Sequence, residues 1–300
     1  MKERQEMGEN ICFIIGAPRS GTTILCDVLG THPEIESLSE PYFIWDWMSG
    51  AGEDDVRTQG DADRATADFI RREFAATLQK SGKRVLLEKT PENCFRVPFM
   101  HAVFPKAKWI FLYRDGRDVV ASMNTEWVTR TQMVRKRDVG QLYRTARRML
   151  LRQQYWRNRF RALAHEVRNN VGVRPGRLFN KAKWNGRAAW GPRFPGWEQA
   201  LERADSDVAF NAMQWSECIR FAREGIAQLP QDRVHRVRYE NLVADRVTTL
   251  AEIFDFLDVG RDSSVGEELA GSSVGNWRTR FSDRELRTIE NNIEQELIAV

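Results

Sequence analysis

The residues best suited to chemistry lie near the amino terminus, in the stretch FIIGAPRSGTTIL. This stretch nearly matches the phosphate-binding pattern G-x-x-x-x-G-K-[ST], with Gly16 and Gly21 in place and Thr23 closing it. Thr22 stands where the pattern has lysine, and Arg19 lies inside the loop. In nucleoside triphosphate enzymes, that lysine and Mg²⁺ neutralise the outer phosphates. The sequence therefore favours a smaller dianion, such as a nucleotide 5′-phosphate that carries one transferable group.

The candidate anion ligands of this loop are Arg19, Ser20, Gly21, Thr22 and Thr23. A glycine-rich turn between a strand and a helix directs several backbone N–H groups at one point, and the helix N-terminus adds positive potential. An ordinary tight turn is the alternative interpretation. The agreement of the strand, the glycines, the arginine and the hydroxyl residues favours an anion site.

A second candidate site lies about a hundred residues further on, in FLYRDGRDVVASM. Arg114 ends a predicted strand, and Ser122 lies two turns into the helix that follows. The two side chains can converge on one phosphate at the carboxyl edge of a parallel sheet. Alternatively, Arg114 pairs with a surface carboxylate and Ser122 only packs.

Strand and helix patterns alternate along the chain and predict the elements that position these residues. Buried strands are predicted at ICFIIG, RVLLEKT, AKWIFLYRD and RVHRVRYENL. Helices are predicted at 22–29, DADRATADFIRREFAATLQKSG, FRVPFMHAVF, GRDVVASMNTEW, 141–168, NAMQWSECIRFAREGIAQL and RVTTLAEIFDFL. This alternation predicts a three-layer α/β fold with a central parallel sheet flanked by helices.

The chain of 300 residues is long enough for one large α/β domain, and we predict a single domain over 1–300. No apolar run is long enough to span a bilayer, and no signal peptide is evident. The four cysteines are far apart, so we expect reduced, buried thiols and a cytoplasmic protein.

Positive charge is concentrated in one segment of the chain. Between Arg130 and Arg193, eighteen Lys or Arg face two acidic residues, a net charge of +16. We predict that 130–205 is a basic, Trp-rich inserted helix and lid that recognises the substrate. Such a segment suits an anionic or sugar-bearing acceptor. A nucleic-acid groove, transient contact with an anionic membrane, or a solvated helix face would show the same pattern.

The two candidate motifs resemble those of sulfotransferases that use 3′-phosphoadenosine 5′-phosphosulfate (PAPS). GAPRSGTTIL resembles the family's 5′-phosphosulfate loop, and FLYRDGRDVVASM resembles its 3′-phosphate motif, with Arg114 and Ser122 at the matching positions. The resemblance covers most of 11–124. It implies a P-loop-like fold, PAPS as donor, 3′-phosphoadenosine 5′-phosphate (PAP) as product, and no required metal.

Weaker resemblances near the C-terminus extend the nucleotide site. VRYENL is similar to the family's strand end, which implies that Tyr239 contacts the adenine. SSVGNWRTRFS resembles the closing loop, which implies that Ser273, Trp277 and Arg278 close over the nucleotide. The cytosolic branch has Arg-Lys-Gly where this chain has Ala270, Gly271 and Ser272.

The resemblance also implies the catalytic residues. Lys89 matches a lysine that contacts the bridging oxygen, and Arg19 stabilises the leaving group. Glu40 matches the glutamate base of the tyrosylprotein sulfotransferase branch in its distance from the loop arginine. The alternatives are a solvated strand-end charge for Lys89 and a helix cap or surface acid for Glu40. Other branches use histidine as the base, so His32 and His101 are the reserve candidates.

We therefore expect a sulfotransferase that moves the sulfuryl group of PAPS to a hydroxyl of a small-molecule acceptor such as a glycoside, lipid or secondary metabolite. The first alternative is a P-loop nucleotide kinase, which the missing lysine argues against. The second is a non-catalytic binder of nucleic acid or anionic membranes, built on the basic segment.

Overall fold

The computed structural model of the protein describes residues 8–45, 54–125, 191–267 and 273–293. The chain divides into two compact units. The first comprises Met1–Glu40, Glu53–Asn124 and Gly191–Val300, and the second comprises Pro41–Gly52 and Thr125–Trp190. The predicted helix over 141–168 and most of the predicted insertion over 130–205 lie outside the described residues, so the domain assignment stays a prediction.

The first unit is built on a five-stranded sheet whose strand pairs are all parallel, in the order β2-β3-β1-β4-β5. The strands are β1 Ile11–Ile15, β2 Ile35–Ser39, β3 Val85–Lys89, β4 Lys108–Tyr113 and β5 Val234–Arg238. Every residue of β1 and β3 is buried, as expected for central strands covered on both faces. The predicted α/β class with a central parallel sheet is confirmed.

Helices of the first unit follow the strands and flank the sheet. In chain order the helices of the chain are α1 Thr22–Leu29, α2 Tyr42–Trp45 (which belongs to the second unit), α3 Arg64–Ser81, α4 Val97–Val103, α5 with described part 116–125, α6 Trp197–Arg203, α7 Asp207–Ala227, α8 Tyr239–Ala244, α9 Arg246–Leu257 and α10 Asp283–Glu290. A short 3₁₀ helix, Pro91–Phe95, precedes α4, and another, Asn276–Thr279, precedes α10. The predicted helices that fall on described residues are confirmed.

Aromatic side chains fill the core on one face of the sheet. Phe13 of β1 lies 4.9 Å from Trp109, 5.7 Å from Phe104 and 6.1 Å from Phe74, between ring centroids. Aromatic pairs at such separations add to the free energy gained from burying their surface. This packing fixes β1, and with it the loop that follows β1.

The structure differs from the sequence prediction near three elements. The predicted strand RVHRVRYENL ends at Arg238, and α8 begins at Tyr239. Strand β2 carries Glu36, Ser37 and Ser39 among its five residues, so its pattern gave no strand prediction, yet it pairs with β3 along its whole length. Helix α10 was also missed, although Ser282 and Glu285 form its capping box.

The four cysteines, Cys12, Cys26, Cys94 and Cys218, are buried free thiols, as predicted. Among the described residues, no helix is long and apolar enough to cross a membrane.

Candidate functional site

The predicted site residues gather at the carboxyl edge of the sheet, where each of the five strands ends. The loop with Arg19 follows β1, Glu40 follows β2, Lys89 ends β3, Arg114 follows β4 and Tyr239 follows β5. In a parallel sheet all carboxyl ends lie on the same edge, where ligands of open α/β folds bind. Five segments that are distant in sequence therefore contribute to one region.

The glycine loop is closely packed at both of its pattern glycines. A Cβ at Gly16 would lie 2.4 Å from the Leu112 carbonyl oxygen, and a Cβ at Gly21 would lie 2.5 Å from the Tyr239 ring. Gly21 also has φ 96°, in the left-handed region that favours glycine. Both positions therefore need glycine, for space or for backbone conformation.

The loop leads directly into the N-terminus of α1. Helix α1 begins at Thr22, has no side-chain cap at Gly21 and no acidic residue in its first turn, so its positive end is not neutralised locally. Ser20 is fully buried, and its Oγ has no hydrogen-bond partner. Thr22 is buried and Thr23 is partly exposed. The backbone N–H groups at the start of α1 and the Ser20 hydroxyl can therefore donate hydrogen bonds to an anion.

Arg19 and Ser122, predicted to serve opposite ends of one nucleotide, are in direct contact. Arg19 is exposed and has φ 67°, an uncommon value for a residue with a side chain. Its Nε donates to Ser122 Oγ at 3.1 Å, which links the glycine loop to α5. The glycine loop and α5 are therefore in direct contact.

Arg114 is buried and connects the glycine loop to the C-terminal segment. Its Nη2 donates to the carbonyl oxygen of Ser273 at 2.8 Å and to Ser273 Oγ at 2.9 Å, and its Nη1 donates to the Arg19 carbonyl oxygen at 3.4 Å. Asp118 Oδ2 lies 3.8 Å from Nη2. The alternative of a surface ion pair for Arg114 is wrong, because both side chains of this pair are buried.

Tyr239 lies between the glycine loop and Arg114. The Arg114 guanidinium carbon stands 4.3 Å from the centroid of the Tyr239 ring, and the ring also packs against Gly21. Residues Tyr113 and Arg238 are paired in the sheet, so Arg114 and Tyr239 leave neighbouring strands side by side. We call Arg19, Gly21, Arg114, Ser122, Tyr239 and Ser273 the loop cluster.

The C-terminal segment is anchored on α5 by a carboxylate that the sequence analysis missed. Asp118 accepts hydrogen bonds from Gly275 N at 2.7 Å and from Trp277 N at 3.1 Å. The guanidinium carbons of Arg117 and Arg278 stand 4.1 and 4.8 Å from the centroid of the Trp277 ring. The spacing of Asp118, four residues after Arg114, was the available signal. Ala270, Gly271 and Ser272 lie outside the described residues.

Lys89 and Glu40 form an ion pair beside the glycine loop. Lys89 Nζ donates to Glu40 Oε1 at 2.7 Å, and Glu40 N donates to the Lys89 carbonyl oxygen at 2.8 Å. The Lys89 side chain is 1% exposed and that of Glu40 is 39% exposed. Lys89 is therefore not a solvated strand-end charge. It is the sheet partner of Ile14, two residues before Gly16, at the ~4.8 Å spacing of neighbouring strands.

Glu40 has a strained backbone. Its φ is 54°, and among the described residues the other non-glycine residues with positive φ are Arg19 and Asp258. Asp258 ends α9, where a left-handed residue is common. Glu40 follows a strand instead. Such strain persists only where the surroundings enforce it, and here the two bonds to Lys89 do so.

His32 and His101, the two reserve candidates for the base, occupy structural positions. His32 is buried, its Nδ1 accepts from Glu34 N at 3.1 Å, and its Nε2 lies 2.8 Å from the Gly260 carbonyl oxygen. Both ring nitrogens of His32 are thus engaged in fixing loops. His101 lies on α4, and burial lowers the pKa of its imidazole. His101 is half-buried on this helix.

Two acidic residues around Lys89 were not predicted as functional. Glu88 is fully buried and accepts hydrogen bonds from Thr90 Oγ1 at 2.5 Å and Asn93 Nδ2 at 2.7 Å, which shapes the chain after β3. Glu92 retains partial exposure, but its Oε2 is buried without a hydrogen-bond partner. Burial, and then the negative charge of Asp55, raise the pKa of Glu92 to about 7.

Comparison with known proteins identifies a family for this arrangement. The model described as "Sulfotransferase family" matches residues 12–180 and 189–263, more than half of the chain. Among solved structures, the sulfotransferase domain from the curacin biosynthetic pathway aligns over 96% of this chain and 89% of its own, at 17% identity and TM-score 0.49.

Curated relatives match a smaller part of the chain. Nodulation protein NoeE of Sinorhizobium fredii is 31% identical over 132 residues, which are 39% of this chain and 32% of that protein. A putative protein-tyrosine sulfotransferase of Caenorhabditis briggsae is 30% identical over 121 residues, 38% of this chain and 43% of that protein. The chain thus aligns with less than half the length of these relatives.

Proposed function

The chain belongs to the sulfotransferase family, and from this and the site geometry we propose that it transfers the sulfuryl group of PAPS to a hydroxyl of a small-molecule acceptor. The observation that carries the proposal is the convergence of all five strand ends on one edge of the sheet. Two anion-binding segments and the Lys89–Glu40 pair leave neighbouring strands there.

The residues around the glycine loop fit a doubly phosphorylated adenosine. Gly16 and Gly21 allow the loop to pack closely on Leu112 and Tyr239, and Ser20 Oγ in the same loop is buried without a hydrogen-bond partner. These groups, with Thr22, Thr23 and the start of α1, would bind the 5′-phosphosulfate. PAPS supplies the activated sulfuryl group when it is bound. The loop is the part of the site best suited to a dianion.

The other end of the nucleotide would meet Arg114, Ser122 and Ser273, which would bind the 3′-phosphate. Arg114 and Ser273 are already hydrogen-bonded to each other, and Ser122 to Arg19. Tyr239 and Trp277 would contact the adenine, and Arg278 would close over it. The stacking of Arg117 and Arg278 on Trp277 supports this part of the proposal, because it holds the indole at the site.

Catalysis would use the Lys89–Glu40 pair together with Arg19. Glu40 takes the proton of the acceptor hydroxyl while the acceptor oxygen attacks sulfur and the bond from sulfur to the bridging oxygen breaks. Lys89 and Arg19 stabilise the negative charge that develops on the leaving phosphate. The buried Lys89 and the more exposed Glu40 suit these roles, because the base must meet an acceptor that arrives from solvent.

We propose a cytoplasmic location, which the four buried free thiols support. The acceptor would be a small molecule with a hydroxyl group, anionic or sugar-bearing. The basic segment that would recognise an anionic acceptor lies mostly outside the described residues. Weak contact with an anionic membrane and binding to nucleic acid would both depend on that segment.

Calorimetry with PAP and AMP tests the assignment of the nucleotide. We expect PAP to bind far more tightly than AMP, and Arg114→Ala to remove about 1.5–3 kcal/mol of that preference, the scale of a charge-assisted hydrogen bond. Arg261→Ala is the matched control, because Arg261 forms an exposed ion pair with Asp255. Equal affinity of the wild type for PAP and AMP would refute the 3′-phosphate site.

Radiolabelled PAPS incubated with a panel of hydroxyl acceptors tests the reaction itself. Transfer of the label to an acceptor, without Mg²⁺, is the expected result. ATP turnover that requires Mg²⁺ would favour a nucleotide kinase. Salt-dependent binding to DNA or vesicles, without affinity for PAP, would favour a non-catalytic binder.

A further inference from the structure

Several buried polar side chains lie just beyond Lys89 with atoms that lack hydrogen-bond partners. They are Oε2 of Glu92, Oδ1 of Asn93, both amide atoms of Asn211, and Nε1 of Trp215. Asn93, Asn211 and Trp215 are fully buried. Unpartnered buried polar atoms cost folding free energy, so native proteins contain few of them. We call Glu92, Asn93, Asn211 and Trp215 the polar cluster.

The packing of α7 places its part of the polar cluster at the carboxyl edge of the sheet. Helix α7 packs on the 3₁₀ helix Pro91–Phe95, with Cys218 beside Cys94, and a Cβ at Gly225, two turns later, would lie 2.7 Å from Val97 Cβ. Helix α7 and the segment 94–97 therefore run in the same direction. Two turns before Cys218, about 10 Å along the helix axis, Asn211 lies alongside the residues that precede Cys94.

Trp215 supports the same placement from another side. Asn211, Trp215 and Cys218 share one face of α7, because they are separated by four and three residues. A Cβ at Gly116 would lie 2.8 Å from the Trp215 ring. Gly116 begins α5, two residues after Arg114. The polar face of α7 thus lies between the segment after Lys89 and the start of α5.

Glu92 connects the polar cluster to the proposed base. It follows Lys89 by three residues, and the charge of Glu40 contributes to the raised pKa of Glu92, so the two carboxyl groups lie within electrostatic range of each other. Glu92 is the partly exposed member of the polar cluster, although its Oε2 is buried. A ligand bound at the polar cluster would lie beside the segment that follows Lys89, whose Nζ donates to Glu40 Oε1.

The chemistry of the polar cluster fits an uncharged ligand. Two amides and an indole carry no charge. Burial raises the pKa of Glu92 to about 7, so at neutral pH its carboxyl group is protonated in part of the molecules and then both donates and accepts hydrogen bonds. The charged groups nearby are already paired, since Arg193 Nη2 lies 2.8 Å and Arg96 Nη2 lies 3.9 Å from Asp55 Oδ1. Several neutral donors and acceptors in one place match a ligand with several hydroxyl groups.

We propose that the polar cluster is an acceptor-binding site that hydrogen-bonds an uncharged acceptor bearing several hydroxyl groups, such as a glycoside. The inference rests on the proposed function, because it narrows the acceptor class of that reaction.

The test measures binding to the full chain loaded with PAP, by saturation-transfer NMR. The probes are a panel of p-nitrophenyl glycosides and p-nitrobenzyl alcohol, which has the nitroaryl group but a single hydroxyl. We expect at least one glycoside to bind about tenfold more tightly than the alcohol, and Asn211→Leu to remove most of this preference. Gln228→Leu, an exposed amide at the end of α7, is the matched control and should leave it unchanged.

A second pair of variants covers the case in which Asn211→Leu does not fold. Glu92→Gln keeps a neutral hydrogen-bonding group and should retain the preference, whereas Glu92→Leu should lose it. Equal effects of these two variants would overturn the proposal. So would a folded Asn211→Leu variant with an unchanged preference, or an alcohol that binds as well as every glycoside.

The experiments distinguish an error in the proposed reaction from an error in the proposed acceptor-binding site. If the chain binds glycosides through Asn211 and Glu92 but transfers no label from PAPS, the acceptor-binding site stands and the reaction is wrong. If the label moves to the alcohol and to glycosides equally, the reaction stands and the acceptor-binding site is wrong.

Discussion

The loop cluster and the polar cluster lie on the same edge of the sheet but are built differently. In the loop cluster the side chains contact one another. Arg19 donates a hydrogen bond to Ser122, Arg114 donates one to Ser273, and the Arg114 guanidinium stacks on the Tyr239 ring. In the polar cluster, atoms of Glu92, Asn93, Asn211 and Trp215 lack partners. The side chains of the loop cluster are thus held in place by one another, whereas the polar cluster has donors and acceptors without partners.

This difference corresponds to two kinds of ligand recognition. A site for one invariant ligand gains from groups that are held in place beforehand, because little ordering is then needed on binding. A site whose neutral groups are unpaired discriminates strongly, because a ligand that lacks the matching hydroxyls leaves those groups unsatisfied. We therefore expect changes in the loop cluster to affect nucleotide binding and changes in the polar cluster to affect acceptor choice.

The largest expected effect comes from Glu40, the proposed base. Glu40→Gln should lower kcat by about 10²–10⁴-fold, the usual contribution of a general base, while PAP affinity stays near that of the wild type. Single-turnover transfer of label and calorimetry with PAP measure the two quantities. Glu36→Gln, on the strand that precedes Glu40 and beside Lys83, is the control. A kcat within a few-fold of wild type would show that Glu40 is not the base.

An intermediate effect is expected where the C-terminal segment is anchored on α5. Asp118→Asn replaces one of the acceptor oxygens that bind Gly275 N and Trp277 N, so the segment should bind less firmly to α5. We expect PAP affinity to fall about tenfold, in line with the loss of one charged hydrogen bond. Asp255→Asn, in an exposed ion pair of small expected contribution, serves as control. Unchanged PAP affinity would show that the anchoring of this segment on α5 does not contribute to nucleotide binding.

The smallest expected effect is on stability and concerns Glu92. Its pKa in the folded protein is raised from 4.5 to about 7, so the folded state binds more protons than the unfolded state between these values. The free energy of unfolding should therefore fall as the pH rises through this window. Glu92→Gln should abolish this decrease in the free energy of unfolding. We expect the decrease in the wild type to be about 1–2 kcal/mol, after allowance for the partial exposure of Glu92. Urea unfolding at pH 5 and pH 8 measures the difference, with the exposed Glu224→Gln as control. A wild type with the same pH dependence as the variant would contradict the raised pKa.

Much of the fold followed from local sequence patterns. Apolar runs predicted β1, β3 and β4, and turn glycines marked the ends of α1 and α3. These signals are local, since they depend on the burial of consecutive residues and on backbone conformation. Strand β2 had no such signal, because three of its five residues are Glu or Ser, and its pairing with β3 fixes it instead. Tyr239 continued a strand-like pattern, but it begins a helix after the sheet edge.

By itself, the sequence determined the pattern of the glycine loop, the threonine at position 22 where that pattern has lysine, and the residue types at the strand ends to which the family resemblance assigns roles. Tertiary structure alone decided which of these touch: Arg19 with Ser122, Arg114 with Ser273 and Tyr239, and Lys89 with Glu40. It also placed Asp118 where its carboxylate accepts hydrogen bonds from Gly275 N and Trp277 N of the C-terminal segment. Contacts between residues far apart in sequence depend on strand order and helix packing, which no local pattern specifies.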